Sequence, residues 1–246
     1  MTTVPPRPPI PPSRGKRVNV RTYSLWSWIK GYAAWLLVLP LYLALWAFAA
    51  VCPRLPRWAI NRLLDAHLDY TFSHPMDFRI PPDENVAAYM KRWWRIARNA
   101  YFNVYYHIIL RGDDDRALHD HPWWNFSIVL EGGYYEHTID AGGINRKTWY
   151  GPGSVRFRRA GTFAHRLELE RRPGFDPDGA GAASMVEQPV RTIFITGPVL
   201  RRWGFHHPEQ WVDAYDWDAF TAEKGLANTI PNGGGSDGAI SPRNKL

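Results

Sequence analysis

Cysteine is nearly absent from this sequence. Cys52 is the only one among 246 residues, so a disulfide within the chain and a thiolate metal site are both excluded. Cys52 ends an apolar run, which favours a buried, unreactive thiol over a lipidated one. Any metal ion that the protein binds must therefore be held by nitrogen and oxygen ligands.

Acidic residues are missing from the first 30 positions, which contain six basic residues. The net charge of +7 is concentrated there, because the remaining 216 residues carry 24 basic against 23 acidic side chains. A nucleic-acid-binding domain is normally basic over its own folded surface. The near-neutral remainder predicts that no nucleic acid is among the partners.

The two ends of the chain lack the pattern of a packed core. Residues 1–30 begin with a proline-rich stretch that cannot form a helix or a sheet interior, because proline has no N–H donor. We predict a disordered, basic tail over 1–30. The Gly-, Ser- and Asn-rich residues 224–246 predict a second disordered tail.

Charge is also absent from residues 31–52, a run of 22 mostly apolar residues. About 20 such residues span the hydrocarbon core of a bilayer as a helix, and Trp26 and Trp28 lie just before the run, as interfacial aromatic residues do. The run is too long for a signal peptide, and no small-residue cleavage site follows it. We therefore predict a transmembrane segment over 31–52, although Pro40 leaves a kinked or re-entrant form open.

The expected localisation follows from that segment. A single-pass protein would have the lipid bilayer as a partner. More basic residues precede the run than follow it, which favours a cytoplasmic amino terminus and an exported carboxy-terminal domain. A re-entrant hairpin would keep both ends on one side.

Residues 53–100 are predicted to form a short helical region. Apolar residues recur at helical spacing from Trp58 to Tyr70, and Asp83 is a candidate cap for a second helix. One face of that second helix would be apolar and the other basic. Such a face suits either an anionic bilayer or the next domain. Its apolar residues are Val86, Tyr89, Met90, Trp93, Ile96 and Ala97.

From Phe102 to Thr196 the pattern changes to a period of two, interrupted by glycine and proline, and the β domain is expected over 101–223. Closely spaced short strands with turn residues between them predict a sandwich or barrel, so the fold class is mainly β. The Gly-, Ala- and Pro-rich segment 171–188 is predicted to be a mobile surface loop. Strands are expected at 102–110, 124–130, 133–139, 146–150, 153–159, 165–169 and 190–196.

The pair His119 and His121 carries the strongest chemical signal. Residues i and i+2 of a strand project to the same side, so both imidazoles can face one cavity and share one cation. The same parity includes Trp123, Asn125 and Ser127. Trp124, Phe126, Ile128 and Leu130 have the opposite parity and form an all-apolar face that would pack against other elements. An isolated pair of this kind is also common among structural or surface histidines that bind no metal.

Two motifs in this region resemble those of the cupin superfamily. Gly112, His119, His121, Asn125 and Gly132 resemble the first cupin motif. The second motif is matched by Gly153, Arg159, Gly161 and His165. The resemblance covers roughly residues 102–200 and implies a double-stranded β-helix barrel in which His119, His121 and His165 bind a divalent metal.

The sequence departs from the cupin pattern at two informative positions. Asn125 occupies the usual glutamate position, so the resemblance implies a three-histidine site, with Asn125 or Glu136 as a weak oxygen ligand or as the group that positions water or substrate. Arg159 replaces the usual proline. Arg159, Ser127 and Trp123 are the candidate substrate-binding residues.

Imidazole ligands suit iron(II), zinc, manganese and nickel, of which iron(II) is our first expectation. An open coordination position would permit oxygen chemistry. We therefore expect either an iron-dependent dioxygenase acting on a small anionic substrate or a non-catalytic module that binds or senses a small ligand at the membrane. His107 is interpreted as a core histidine, and Asp120 as a turn or surface carboxylate.

Overall fold

The computed structural model describes residues 25–80, 88–99, 101–113, 117–140, 143–161, 163–175, 183–206 and 211–213. The predicted tail at 224–246, most of the tail at 1–30 and the candidate cap at Asp83 lie outside these residues. Two helices precede the β domain: α1 (Leu25–Val51) and α2 (Arg57–Ser73).

Fourteen strands lie in the described part of the chain. Their bounds are β1 (Phe78–Ile80), β2 (Met90–Trp94), β3 (Asn103–Ile109), β4 (Leu118–His119), β5 (Asn125–Glu131), β6 (Tyr134–Asp140), β7 (Ile144–Tyr150), β8 (Val155–Arg158), β9 (Arg166–Leu169), β10 (Arg171–Phe175), β11 (Ala183–Glu187), β12 (Val190–Thr196), β13 (Gly204–His206) and β14 (Trp211–Asp213). The predicted mainly-β class is confirmed.

A six-stranded sheet forms the larger wall of the domain, in the order β1-β2-β3-β12-β5-β8. Three smaller sheets have the orders β7-β6-β9, β14-β13-β4 and β10-β11, and every strand pair is antiparallel. One cluster of buried side chains joins the large sheet to β6, β7 and β9, so the two sheets enclose a common interior. Its members are Ile80, Met90, Ile109, Val129, Tyr134, Tyr150, Leu169 and Val190.

Strand β5 shows how the alternation divides inside from outside. Ser127 lines the interior cavity. Phe126, Ile128 and Leu130 belong to a second apolar cluster on the other face of the sheet, together with residues of α1 and α2. The interpretation of an all-apolar face that packs against other elements is therefore confirmed, and the two helices are those elements.

Helix α1 packs on this outer face along one narrow stripe. Tyr42 makes edge-to-face contacts with Trp124 and Phe157, with ring centroids 5.6 and 5.1 Å apart. Leu45 and Ala49, about one turn apart, join the outer cluster. Away from this stripe, Leu37 and Val51 are 82% and 86% exposed. Within the described part of the chain, no helix is long and apolar enough to cross a membrane.

The second helix expected after Asp83 is wrong where it can be examined. Met90–Trp94 is strand β2, which pairs with both β1 and β3. Apolar residues at 89, 90, 93, 96 and 97 fit a helical period, but both faces of β2 are largely buried, which conceals its period of two. Pairing across the sheet decides the conformation here, so the amphipathic helix proposed for the bilayer does not form over these residues.

The surface loop expected over 171–188 is also wrong in part. Strands β10 and β11 pair as a hairpin with Arg171 opposite Glu187. Glu187 also accepts a hydrogen bond from the backbone N–H of Gly112 at 3.1 Å, which ties the hairpin to the barrel. Glycine and proline lower β propensity, but they do not prevent pairing at an edge.

Gly132 provides a test of the barrel's packing. Its φ is +70°, and an added Cβ would lie 2.3 Å from the backbone oxygen of Pro189. Gly143 also has a positive φ, of +78°, but a Cβ there would meet nothing within 4 Å. We expect Gly132→Ala to lower the free energy of unfolding by about 1–3 kcal/mol more than Gly143→Ala, because only the first adds a backbone clash to the conformational strain. Denaturant unfolding of both variants measures the difference, and equal losses would contradict it.

Candidate metal centre

The three predicted histidines meet at one place. His119 ends β4, His121 follows two residues later, and His165 immediately precedes β9. The backbones of His119 and His165 form an antiparallel bridge with reciprocal N–H···O=C bonds of 2.9 Å. One ring nitrogen from each histidine lies within 4.8 Å of the other two. This group of nitrogens could hold a single shared cation.

His121 and His165 are the closest pair, with their Nε2 atoms 2.9 Å apart. The His121 ring stacks on Trp123 at 4.5 Å between centroids, with the planes 13° apart. Burial, reinforced by the charges that neighbouring His165 and His119 would carry, lowers the pKa of His121 well below its usual value. The neutral imidazole is therefore favoured, and this is the form that binds metals.

A buried charged pair orients His165. Its Nδ1 donates to Glu136 Oε1 at 2.7 Å, and Arg158 donates to the same carboxylate oxygen. Glu136 is 1% exposed and Arg158 is 5% exposed. Burial alone would raise the pKa of Glu136, but the charge of Arg158 and the hydrogen bond from His165 hold it at about 2. The carboxylate thus keeps the proton of His165 on Nδ1 and leaves Nε2 as an acceptor that faces the other histidines.

Two further carboxylates fix the segments that carry the ligands. Asp120 is 1% exposed and accepts hydrogen bonds from Arg201, His206 and the backbone of Gly204. Its interpretation as a surface carboxylate is wrong, because the strand β13 covers it. The second of these carboxylates, Asp113, accepts a hydrogen bond from the backbone N–H of Leu167 at 2.7 Å and lies 3.7 Å from His119 Nδ1.

The histidines open onto a cavity of ≈ 100 Å³. Its wall is mainly apolar and aromatic, with a few polar groups that converge on the interior, as in small-molecule sites. Besides the histidines, the wall includes Met90, Arg92, His107, Asp113, Pro122, Trp123, Ser127, Tyr134, Arg158, Leu167, Thr192, Phe194, Trp203 and Phe205.

Of the remaining predicted site residues, some line the cavity and others are buried away from it. Trp123 and Ser127 line the cavity, and the buried Ser127 Oγ has no hydrogen-bond partner in the described part of the chain. Asn125 is 2% exposed and Glu136 is 1% exposed, but neither is among the lining residues. Glu136 instead acts through His165, and the Oδ1 atom of Asn125 is buried without a partner among the described residues.

The structure places the predicted substrate-binding Arg159 outside the cavity wall. It is exposed, whereas Arg158 lines the cavity. Arg158 lies opposite Asn125 and Arg156 opposite Ser127 in the pairing of β8 with β5. Directly opposed residues share a face, so the inward parity of β5 extends to Arg158 through this pairing.

Sequence reasoning missed Arg92. His107 is the buried core histidine that was expected, and it lines the cavity as well. Both are buried, both line the cavity, and Arg92 Nε donates to His107 Nε2 at 2.8 Å. The sequence predicted a second helix after Asp83 with one apolar and one basic face, and in that helix Arg92 would lie at the edge of the basic face rather than inside the β domain. No local motif marks either residue.

The residues at this centre fit a divalent metal. Three imidazole nitrogens converge, and the pKa values of His121 and His165 are lowered. Metal-binding histidines typically donate their other ring N–H to a carboxylate, and Glu136 accepts this bond from His165. Iron(II), zinc, manganese and nickel all accept such ligands.

We expect Glu136→Gln to weaken metal binding by about 10–100-fold, because the neutral amide orients His165 less strongly. The same change leaves the guanidinium of Arg158 buried without its counter-charge, which should cost about 3–5 kcal/mol of unfolding free energy. The double variant Glu136→Gln/Arg158→Gln should recover much of this stability without recovering the metal affinity. Metal titration and denaturant unfolding separate the two effects, and unchanged metal affinity in Glu136→Gln would contradict the orienting role.

No protein-family model matches the sequence, and no curated protein matches it. Among solved structures, the DMSP lyase DddQ from Ruegeria pomeroyi is 14% identical with a TM-score of 0.40, and the match covers 67% of this chain and 77% of that one. Iron(II) HppE is 16% identical with a TM-score of 0.33, and the match covers 51% of this chain but only 57% of HppE. A protein with a double-stranded β-helix domain from Klebsiella pneumoniae is 13% identical with a TM-score of 0.32, over 55% of this chain and 90% of that one.

Likenesses with TM-scores of 0.40 and below carry no conclusion about activity. The cupin resemblance stands on the chain's own features, which are two motifs in order, an antiparallel β domain and three histidines gathered at one cavity.

Proposed function

We propose that the protein is a metal-dependent, cupin-type enzyme, an iron(II) oxygenase, that acts on a small anionic substrate. The observation that carries the proposal is the convergence of three histidine nitrogens within 4.8 Å on a cavity of ≈ 100 Å³. A bound divalent ion with open coordination positions supplies Lewis-acid or oxygen chemistry there. The chain supplies the ligands, their orientation and the shape of the cavity.

The residues around the histidines have separable roles in this proposal. Trp123 stacks on His121 and, with Phe194 and Phe205, keeps bulk water away from the centre. Ser127 offers a buried hydroxyl, without a partner in the described part of the chain, that can hydrogen-bond to a substrate polar group. Arg158 adds positive charge to the wall and secures Glu136.

The second candidate is a module that binds a small ligand without turnover. Asn125 favours it, because this residue stands where the cupin pattern has a glutamate and does not line the cavity. The two candidates differ in one observable. The enzyme consumes dioxygen in the presence of iron(II) and a small acid, whereas the binding module does not.

Metal content tests the first candidate. The purified full-length chain should bind close to one equivalent of iron(II) or zinc, and His119→Ala/His121→Ala should bind less than a tenth as tightly, because two of three ligands are lost. His74→Ala, an exposed histidine at the end of α2, should bind as the wild type does. Elemental analysis and metal titration give the answer, and a chain that binds no ion would end the enzyme candidate.

We propose a lipid surface as a partner of α1. Leu36, Leu37 and Val51 are 67%, 82% and 86% exposed, and Trp58 at the start of α2 is 69% exposed. Large apolar side chains exposed in this number favour an interaction site. Exposed basic residues lie beside it at Arg54, Arg57 and Arg62, which favours an anionic bilayer. The side of the membrane on which the barrel lies stays a prediction from the basic residues before residue 31.

Vesicle binding tests this partner. We expect the full-length chain to sediment with vesicles of phosphatidylcholine and phosphatidylserine, and Leu37→Glu/Val51→Glu to reduce the bound fraction several-fold, because each glutamate must be desolvated at the apolar surface. Ile144→Glu is the matched control, since Ile144 is 65% exposed on β7. Equal binding of both variants would argue against α1 as the contact.

A further inference from the structure

One part of the cavity wall consists of aliphatic side chains from the large sheet. Ile80, Met90 and Ile109 lie directly opposite one another on β1, β2 and β3, and all three line the cavity. Directly opposed residues of paired strands share a face, so the three side chains form one apolar row. They are 1%, 8% and 4% exposed, so the row is shielded from bulk water.

Leu167 faces this row from the other sheet. It lies on β9, lines the cavity and packs against the buried cluster that contains Ile80, Met90 and Ile109. Its backbone N–H donates to Asp113 Oδ2 at 2.7 Å, which fixes the strand at this point. The four aliphatic side chains therefore form a wall with members on both sides of the cavity, which we call the aliphatic wall.

The strand of Leu167 also connects the aliphatic wall to the metal centre. His165 and Leu167 are two residues apart on an extended segment, so their side chains project to the same side. The rise of a strand places them about 7 Å apart along the chain. Glu136, which orients His165, lies directly opposite Leu167 in the pairing of β6 with β9. A molecule held at the histidines can therefore reach the aliphatic wall with a few further atoms.

The chemistry of the wall indicates what those atoms are. Its four side chains offer no N–H or O–H group, so a polar substituent placed against them would lose its hydrogen bonds to water without replacement. A methylene group gains instead, by about fourfold in affinity, which corresponds to about 0.8 kcal/mol. The cavity volume of ≈ 100 Å³ restricts the gain to a short chain, because even a benzene molecule occupies a cavity of about 150 Å³.

We propose that Ile80, Met90, Ile109 and Leu167 bind a short aliphatic tail of the substrate, whose polar head lies at the three histidines. The inference rests on the proposed function and names its substrate class, a small molecule with a metal-binding head and a tail of a few carbon atoms. Ile109 and Leu167 face this tail from opposite sheets, and together they limit its length.

The test measures how affinity depends on the length of an aliphatic chain. The probes are acetohydroxamate, butyrohydroxamate and octanohydroxamate, titrated calorimetrically into the zinc-loaded full-length chain, because hydroxamate oxygens bind zinc at an open position. We expect butyrohydroxamate to bind about tenfold more tightly than acetohydroxamate, the effect of burying two more methylene groups. Octanohydroxamate should bind more weakly than butyrohydroxamate, because its tail exceeds the cavity.

Two substitutions change the space at the wall in opposite directions. Leu167→Phe should remove most of the preference for butyrohydroxamate while acetohydroxamate still binds, because the larger ring occupies the place of the tail. Ile109→Ala should improve octanohydroxamate relative to butyrohydroxamate several-fold, because it lengthens the cavity. If Ile109→Ala does not unfold cooperatively, Leu167→Phe decides the outcome alone, since Leu167 is only partly buried.

Ile108→Ala is the matched control. Ile108 is the same residue type on the same strand, but it packs against the outer cluster beneath the helices instead of lining the cavity. Its variant should keep the order of affinities that the wild type shows. Equal affinity of the wild type for acetohydroxamate and butyrohydroxamate, or an undiminished preference in Leu167→Phe, would overturn the proposal.

Failure of the metal proposal gives a different result. A chain that binds no zinc loses its affinity for all three hydroxamates, and the wall is then tested without metal. In the metal-free chain, 1-butanol should shift the methyl NMR resonances of Ile109 but not those of Ile108. An unshifted Ile109 resonance would reject the aliphatic wall whether or not the chain binds zinc.

Discussion

The hydrogen bond between His165 and the buried carboxylate of Glu136 is the interaction on which the proposed chemistry depends. It fixes the tautomer of one ligand, and it exists only because Arg158 holds the charge of that carboxylate inside the barrel. The three groups come from β6, β8 and the start of β9, so the orientation of one imidazole depends on the closure of two different sheets. Buried charges of this kind add little net stability but are costly to leave unpaired.

Hydrogen-bonded pairs of buried polar side chains line the interior of the barrel. Arg92 with His107 on one side and Arg158 with Glu136 on the other flank the ligand histidines, while the outward face of the same sheet is apolar and covered by the two helices. Because polar side chains occupy part of the inner face of this sheet, some of its apolar core must lie on the outer face. Here the outer cluster beneath α1 and α2 provides part of that core, which explains why helices accompany a domain that is otherwise β.

The sequence predicted most of the strands because their alternation is clear, and it predicted the ligands because His119 and His121 share a parity that a strand makes visible. It failed at β2, where Met90 and Trp93 satisfy a helical period equally well and only pairing with β3 decides. It chose Arg159 over Arg158 because the face of a residue in β8 depends on its partner in β5, which lies about 30 positions earlier. Local residue spacing does not show which residues pair across a sheet. The contact between Arg92 and His107 could not be predicted for the same reason.

The backbone bridge between His119 and His165 has a consequence for the order of assembly. These two ligands are 46 positions apart and bond to each other through their main chains. A local pair such as His119 and His121 offers an ion only two ligands, so the third arrives only after the distant segments have joined. In small zinc modules the ion organises a short loop and drives folding. In this protein all three rings are available to an ion only after the segments around residues 119 and 165 have joined.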